Sequence, residues 1–265
     1  MVDKSEKFNW LVRVGYFSRA ILYATLGLIA LTSMGRIADG TSGIFQAIED
    51  YPLATAILWL MVVGLFAYAL FRLASTFLDI EHNGNDSKGW AKRIGHAGSA
   101  IGHLALAYTA FQFATSGQSS GGGAEGAAAG VLAMPMGGIV LGLLGLAFLG
   151  AAVFQAKKAW TAEFMHRISS RAPSATRSMG RAGYAARAAV FLIIGWSLVK
   201  AGFMSGGSEQ VKTLGDAVAS LSGSGVWFTL VAVGLLVFGL FSLLLARYRI
   251  VPDLDASGNV PDFRS

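Results

Sequence analysis

Arginine recurs at one register of this chain: Arg13, Arg93 and Arg181 each stand two residues before a glycine, at Gly15, Gly95 and Gly183. Deeper along the same segments lie Arg19 and Arg187, with Ser99 at the matching place in the middle copy. A guanidinium presents planar, bidentate donors that match phosphate, carboxylate and lipid-headgroup oxygens. Gathered at one end of a helix bundle, these arginines would form a basic vestibule for such an anion. Arginine at a helix end also anchors a span by snorkelling into the headgroups, although an anchor alone does not require the repeated Arg-x-Gly. His96 and His103 are the other groups with chemistry to offer, and they occupy places where the companion segments carry Tyr16 and Tyr23, or Tyr184 and Phe191. Ionisable residues inside a membrane are costly and are functional candidates for that reason, so a proton relay or haem ligation by one of them stays open. Two histidines seven residues apart are separated by roughly 10 Å of helix rise, too far to share one ion. The plainer reading is an imidazole filling an aromatic slot with one hydrogen bond.

Other chemistries find no support. The chain has 0 cysteines, which removes disulfides, thiolate nucleophiles and thiolate metal sites. Gly121 to Gly123 is not followed by Lys-Ser or Lys-Thr, so it is no phosphate-binding loop. Ser119 and Ser120 have no local acid–base partner, and Glu49 with Asp50 reads as a solvated loop end. The expectation is a protein that is not an enzyme, with no cofactor and no metal.

The elements that must position these residues are membrane helices. Hydrophobic residues make up 54% of the chain and charged residues only 14%, against about 25% charge in a soluble domain. Apolar runs at Val14 to Met34, Ala54 to Leu73, Ile94 to Thr115, Met136 to Ala156, Ala182 to Gly202 and Val226 to Leu245 each approach the 20 or so residues that cross a bilayer. The first is too long for a signal peptide and is expected to be retained. The net charge of +6 is distributed by side. Nearly all Lys and Arg fall at one set of helix ends, leaving Arg36, Lys200 and Lys212 on the other. The positive-inside rule then puts both termini in the cytoplasm, consistent with six crossings. The basic loops do not interleave aromatics as a nucleic-acid surface would, so anionic lipid is the expected partner.

The segment RVGYFSRAILYATLG from Arg13 returns as RIGHAGSAIGHLALA from Arg93 and RAGYAARAAVFLIIG from Arg181. Gly64-Leu65, Gly145-Leu146 and Gly234-Leu235 mark the second helix of each unit. The reading is an all-α membrane protein of six transmembrane helices in three tandem hairpins with pseudo-threefold symmetry. It forms a single membrane domain over 1–265, with repeats at about 8–80, 92–160 and 179–249 and a polar tail at 252–265. On the first helices the shared positions, Tyr16, Tyr23, His96, Ser99, His103 and Tyr184 among them, fall on or beside one helix face that turns inward. Gly98 and Gly102 add a small-xxx-small spacing for close helix approach. The outer loops GIFQAIEDYP from Gly43, GAAAGVLAMP from Gly126 and TLGDAVASL from Thr213 read as short amphipathic helices or capped loops. The Gly/Ser/Ala stretch from Ser116 to Gly130 reads as mobile.

The Arg-x-Gly-Tyr starts at Arg13 and Arg181, the Arg-x-Gly-His start at Arg93 and the Gly-Leu pairs at Gly64, Gly145 and Gly234 resemble the bacterial membrane family called domain of unknown function 1206, over about Phe8 to Arg249. The resemblance implies three tandem two-helix repeats in a bacterial inner membrane and brings no activity. Unit two departs from it, with Ser99 for the deeper arginine and His103 for an aromatic residue. Three functions follow in order. The first is a non-enzymatic membrane component that binds anionic lipid or a membrane-protein partner, with Arg13, Arg19, Arg93, Arg181 and Arg187 at the headgroup. The second is a small channel or transporter for an anion or small solute along the pseudo-threefold axis, and the third a haem or proton-relay protein using His96 and His103.

Overall fold

A computed structural model describes residues 4–32, 45–46, 48–49, 54–79, 83–116, 123–204 and 206–251. Within them the chain folds as α-helices: α1 (Lys4–Thr32), α2 (Ala54–Phe77), α3 (Ser87–Ser116), α4 (Gly123–Leu132), α5 (Gly137–Thr161), α6 (Thr176–Phe203), α7 (Leu214–Ala219) and α8 (Val226–Tyr248). Three short 3-10 turns lie in the connections, and an isolated antiparallel bridge joins Ile168 to Arg249. No strand is present among the described residues.

Five helices, α1, α2, α5, α6 and α8, are long and apolar enough to cross a membrane. Their outward faces leave Leu70, Val153, Leu192 and Leu230 exposed, a surface suited to hydrocarbon rather than water. The expected span from Ile94 to Thr115 is helical within α3 but does not join those five. His96, Ser99, His103 and its glycines dilute the apolar run.

Two short helices form where the outer-loop sequences suggest them. α4 begins at Gly123, so the part of the expected mobile stretch from Gly123 to Gly130 is ordered as helix, because its alanines favour that state. Residues 117–122 of that stretch lie outside the described residues. α7 starts from a capping box: the Asp216 amide donates to Thr213 Oγ1 at 3.2 Å and the Thr213 amide to Asp216 Oδ2 at 2.7 Å, which satisfies two of the orphan donors of the first turn. Most of GIFQAIEDYP lies outside the described residues, but its Phe45 is buried and stacks on Phe113 of α3.

Packing links the long helices in the order α3, α2, α1, α8, α6, α5. In lipid, such contacts are held by close packing and hydrogen bonds, since acyl chains are as apolar as leucine. Small residues set the distance. A Cβ on Gly15 would lie 2.9 Å from the Cα of Tyr68 in α2, and one on Gly183 would lie 2.8 Å from the Cα of Phe238 in α8. Thus α1 holds α2, and α6 holds α8, by the same glycine position. The corresponding Gly95 in α3 has nothing within 4 Å, nor do Gly98 and Gly102. Among the described residues α3 and α5 share no extended interface.

Candidate functional site

The three Arg-x-Gly arginines do the same work at three different seams. Arg13 in α1 donates from Nη1 to the carbonyls of Ala246 and Arg247 at 2.8 and 2.7 Å, in the last turn of α8. Arg93 in α3 donates from Nε to the Thr76 carbonyl at 2.7 Å and from Nη2 to that of Phe77 at 3.2 Å, where α2 ends. Arg181 in α6 donates from Nε to the Ala159 carbonyl at 2.9 Å, in the last turn of α5. The last four carbonyls of a helix lack internal partners and carry the negative end of its dipole. A guanidinium from an antiparallel neighbour satisfies both needs, so each first helix is fastened to the end of another hairpin's second helix.

Deeper in the bundle each seam holds one further arginine. At α1/α8, Arg19 donates from Nε to Ser242 Oγ at 3.1 Å and from Nη1 to the Tyr68 hydroxyl at 2.8 Å. At α6/α5, with the Gln155 amide turned so that its oxygen faces the guanidinium, Arg187 donates to it from Nη1 at 3.1 Å and Nη2 at 3.3 Å. At α2/α3 the arginine comes from the opposite side: Arg72 of α2 reaches His96 Nδ1 at 3.1 Å and donates to the Tyr68 hydroxyl from Nε and Nη2 at 3.0 and 2.6 Å. Ser99 on α3 therefore does not leave its seam without a guanidinium; the charge has moved across the interface.

Arg19 and Arg187 are 3% and 8% exposed, and neither pairs with a carboxylate among the described residues. Burying an unpaired charge costs several kcal/mol even after relaxation. Aromatic faces offset part of that. The Arg19 guanidinium lies over Tyr16, Tyr68 and Phe238 at 4.5, 5.2 and 4.9 Å from the ring centroids. Arg187 lies over Tyr23, Phe191 and Phe238 at 5.2, 4.7 and 4.7 Å. Each desolvated cation–π contact contributes about 2 kcal/mol at best. Among the described residues, three buried side-chain atoms remain without a hydrogen bond: Arg19 Nη2, Arg187 Nε and His103 Nε2.

The expected single vestibule does not form. Arg13, Arg93 and Arg181 cap helix ends at separate seams, while Arg19 and Arg187 each lie over the Phe238 ring. On the face expected to turn inward, Tyr16, Tyr23, His103 and Tyr184 are buried and His96 and Ser99 are half-buried. Tyr16 meets Tyr68 edge-on at 5.5 Å, Tyr23 meets Phe238 at 4.9 Å, and Tyr184 packs on Phe164, Phe238 and Phe241. His103 is buried against the Tyr68 ring at 4.5 Å, with Nδ1 2.7 Å from the carbonyl of Ser99. His96 is half-buried, with Asn83 Nδ2 3.5 Å from its Nε2. Sequence reasoning missed Arg72, counted only as one of the basic residues at helix ends, and Gln155, whose signal was a lone amide in an apolar span.

Outside the bundle, beside α1 and α8, a groove of about 520 Å³ is lined by Arg13, Leu243, Leu244, Ala246, Arg247 and Tyr248. Two guanidiniums and aliphatic side chains meet there. Arg247 is exposed, and its guanidinium lies over the Tyr248 ring at 5.7 Å from the centroid.

The family described as Domain of Unknown Function (DUF1206) matches the chain three times, at residues 14–79, 94–162 and 182–249. A protein of Bacillus subtilis (strain 168), described as Uncharacterized protein YxxB, is 30% identical over 261 residues, covering 93% of this chain and 94% of its own length. No solved structure matches the chain.

Proposed function

Because the chain belongs to the DUF1206 family, whose name carries no activity, we propose from its geometry a non-enzymatic, multi-pass membrane protein that holds an anionic lipid headgroup at its basic end. The groove between Arg13 and Arg247 carries this reading. Its arginines suit a phosphate, and Leu243 and Leu244 beside them suit the start of an acyl chain. Arg13 is fixed there by its bonds to α8, so one donor of the pair is preorganised. A membrane-protein partner with an acidic segment would use the same exposed cations.

In this reading α3 is the sixth crossing, the three hairpins surround a pseudo-threefold axis, and both termini face the cytoplasm of a bacterial plasma membrane. The recurrence of one arginine cap at each seam supports that arrangement. The buried rings of Tyr16, Tyr68, Phe238 and Phe241 favour a packed interior over a channel along the axis. In the third reading, haem ligation or a proton relay at His96 and His103, His103 Nε2 is the nitrogen left to act, since Nδ1 is taken by Ser99.

Native mass spectrometry of the purified chain tests the proposal. Arg247→Gln leaves every bond of the Arg13 cap in place, and it is expected to lower co-purifying anionic phospholipid severalfold. Lipid content equal to that of the parent protein counts against the groove.

A further inference from the structure

We propose that Arg19, Arg187 and His103 form a second, interior site, for a compact oxyanion that carries its own hydroxyl: hydrogen phosphate, free or as a phosphate monoester headgroup. All three side chains are more than nine-tenths buried. Each has a polar atom with no partner: Nη2 of Arg19, Nε of Arg187 and Nε2 of His103. Both guanidiniums lie within 5 Å of the centroid of one ring, Phe238. His103 packs on Tyr68, the ring whose hydroxyl accepts from Arg19.

The unmet valences define the ligand. Two guanidinium N–H groups require an acceptor, and two positive charges with no carboxylate partner among the described residues require an anion. His103 Nδ1 faces the Ser99 carbonyl at 2.7 Å, so Nδ1 carries the proton and the neutral ring presents a lone pair at Nε2. An anion complementary to all three atoms therefore accepts twice and donates once. Hydrogen phosphate does this; chloride and sulfate lack the donor. His103 belongs to α3 and Gln155, which holds Arg187, belongs to α5, and among the described residues these two helices share no extended interface.

The test is a titration of the full-length protein in detergent, following thermal unfolding and binding heat. Inorganic phosphate at neutral pH is expected to give a saturable response, with sulfate and chloride at least tenfold weaker. Arg19→Gln and Arg187→Gln are each expected to raise the phosphate Kd tenfold or more, whereas Arg247→Gln, in the separate groove, leaves it unchanged. Gln155→Glu, which places a carboxylate beside Arg187 where the anion's charge would otherwise act, is expected to remove the response without loss of fold. A parallel arm with phosphatidic acid in nanodiscs separates the sources: saturation there alone identifies a lipid headgroup, and saturation with inorganic phosphate identifies the free ion. The site is overturned if neither probe saturates, if Gln155→Glu responds like the parent protein, or if Arg247→Gln abolishes the response while Arg19→Gln keeps it.

Discussion

Replacing Gly27 by alanine probes how closely α1 and α8 are joined. A Cβ at Gly27 would lie 2.5 Å from the Leu236 amide nitrogen and 2.8 Å from the Ala232 carbonyl oxygen. Both are backbone atoms, so no rotamer change relieves the contact. Restoring a normal separation of about 3.5 Å pushes the two helices apart by about 1 Å, along the seam that also carries the Arg13 cap and the Arg19–Ser242 hydrogen bond. Overpacking of this kind costs about 1–3 kcal/mol, against a helix-propensity gain for alanine of at most about 1 kcal/mol. The net expectation is a loss of about 1–2 kcal/mol. Gly98→Ala is the matched control: nothing lies within 4 Å of its Cβ position, so only the propensity term acts and stability is unchanged or rises by up to about 1 kcal/mol. With roughly 2–4 °C of Tm per kcal/mol in a chain of this size class, the two variants separate by several degrees in a tryptophan-fluorescence melt in detergent. Equal shifts for both, or a larger loss at Gly98, would refute the packing order and show α3 engaged where the structure leaves it open.

The helix caps rank by burial. Arg93→Gln strands the Thr76 carbonyl in a buried setting and that of Phe77 in a part-buried one and is expected to cost about 2–3 kcal/mol, while Arg181→Gln, exposed and with one carbonyl bond, costs about 1 kcal/mol or less; paired melts check the order. Arg72→Ser and Ser99→Arg are each expected to destabilise, and the double variant, which returns the guanidinium to the first helix as at Arg19 and Arg187, recovers part of the loss, with a coupling of about 0.5–3 kcal/mol in a double-mutant cycle. Outside the membrane, the hydrogen bond from Lys157 to Glu163 at 3.0 Å lowers the Glu163 carboxyl below its usual range. Its contribution is therefore fully present above the ordinary carboxylate pKa of about 4.3 and is lost as pH falls through the lowered value. Because both side chains are about half exposed, Glu163→Gln is expected to change stability at pH 7 by less than about 1 kcal/mol, with the difference vanishing in acid.

The repeat itself was plain in the chain, since Arg13, Arg93 and Arg181 recur with their glycines and each meets the end of a neighbouring helix. Which atoms they meet was not legible. A guanidinium at a helix end suits headgroups and helix-end carbonyls equally well, and spacing along one helix says nothing about which partner lies beside it. Arg72 shows the same limit: it does for its seam what Arg19 and Arg187 do for theirs, but from the other helix, so no alignment of first helices brings it into register. Composition likewise placed α3 among the spans without revealing that its face of small residues, Gly95, Gly98 and Gly102, stands unpacked. The aromatic slot assigned to His103 was readable, whereas its unpartnered Nε2 depends on how helices far apart in sequence pack.

In the proposed function, the exposed end of the α1/α8 seam recognises anionic lipid through Arg13 and Arg247. Native mass spectrometry of the protein extracted from bacterial membranes, parent against Arg247→Gln, measures this directly. Anionic phospholipid adducts are expected on the parent and drop severalfold in the variant, while zwitterionic adducts stay constant. Equal anionic adducts on both proteins, or a loss shared equally by both lipid classes, would contradict it.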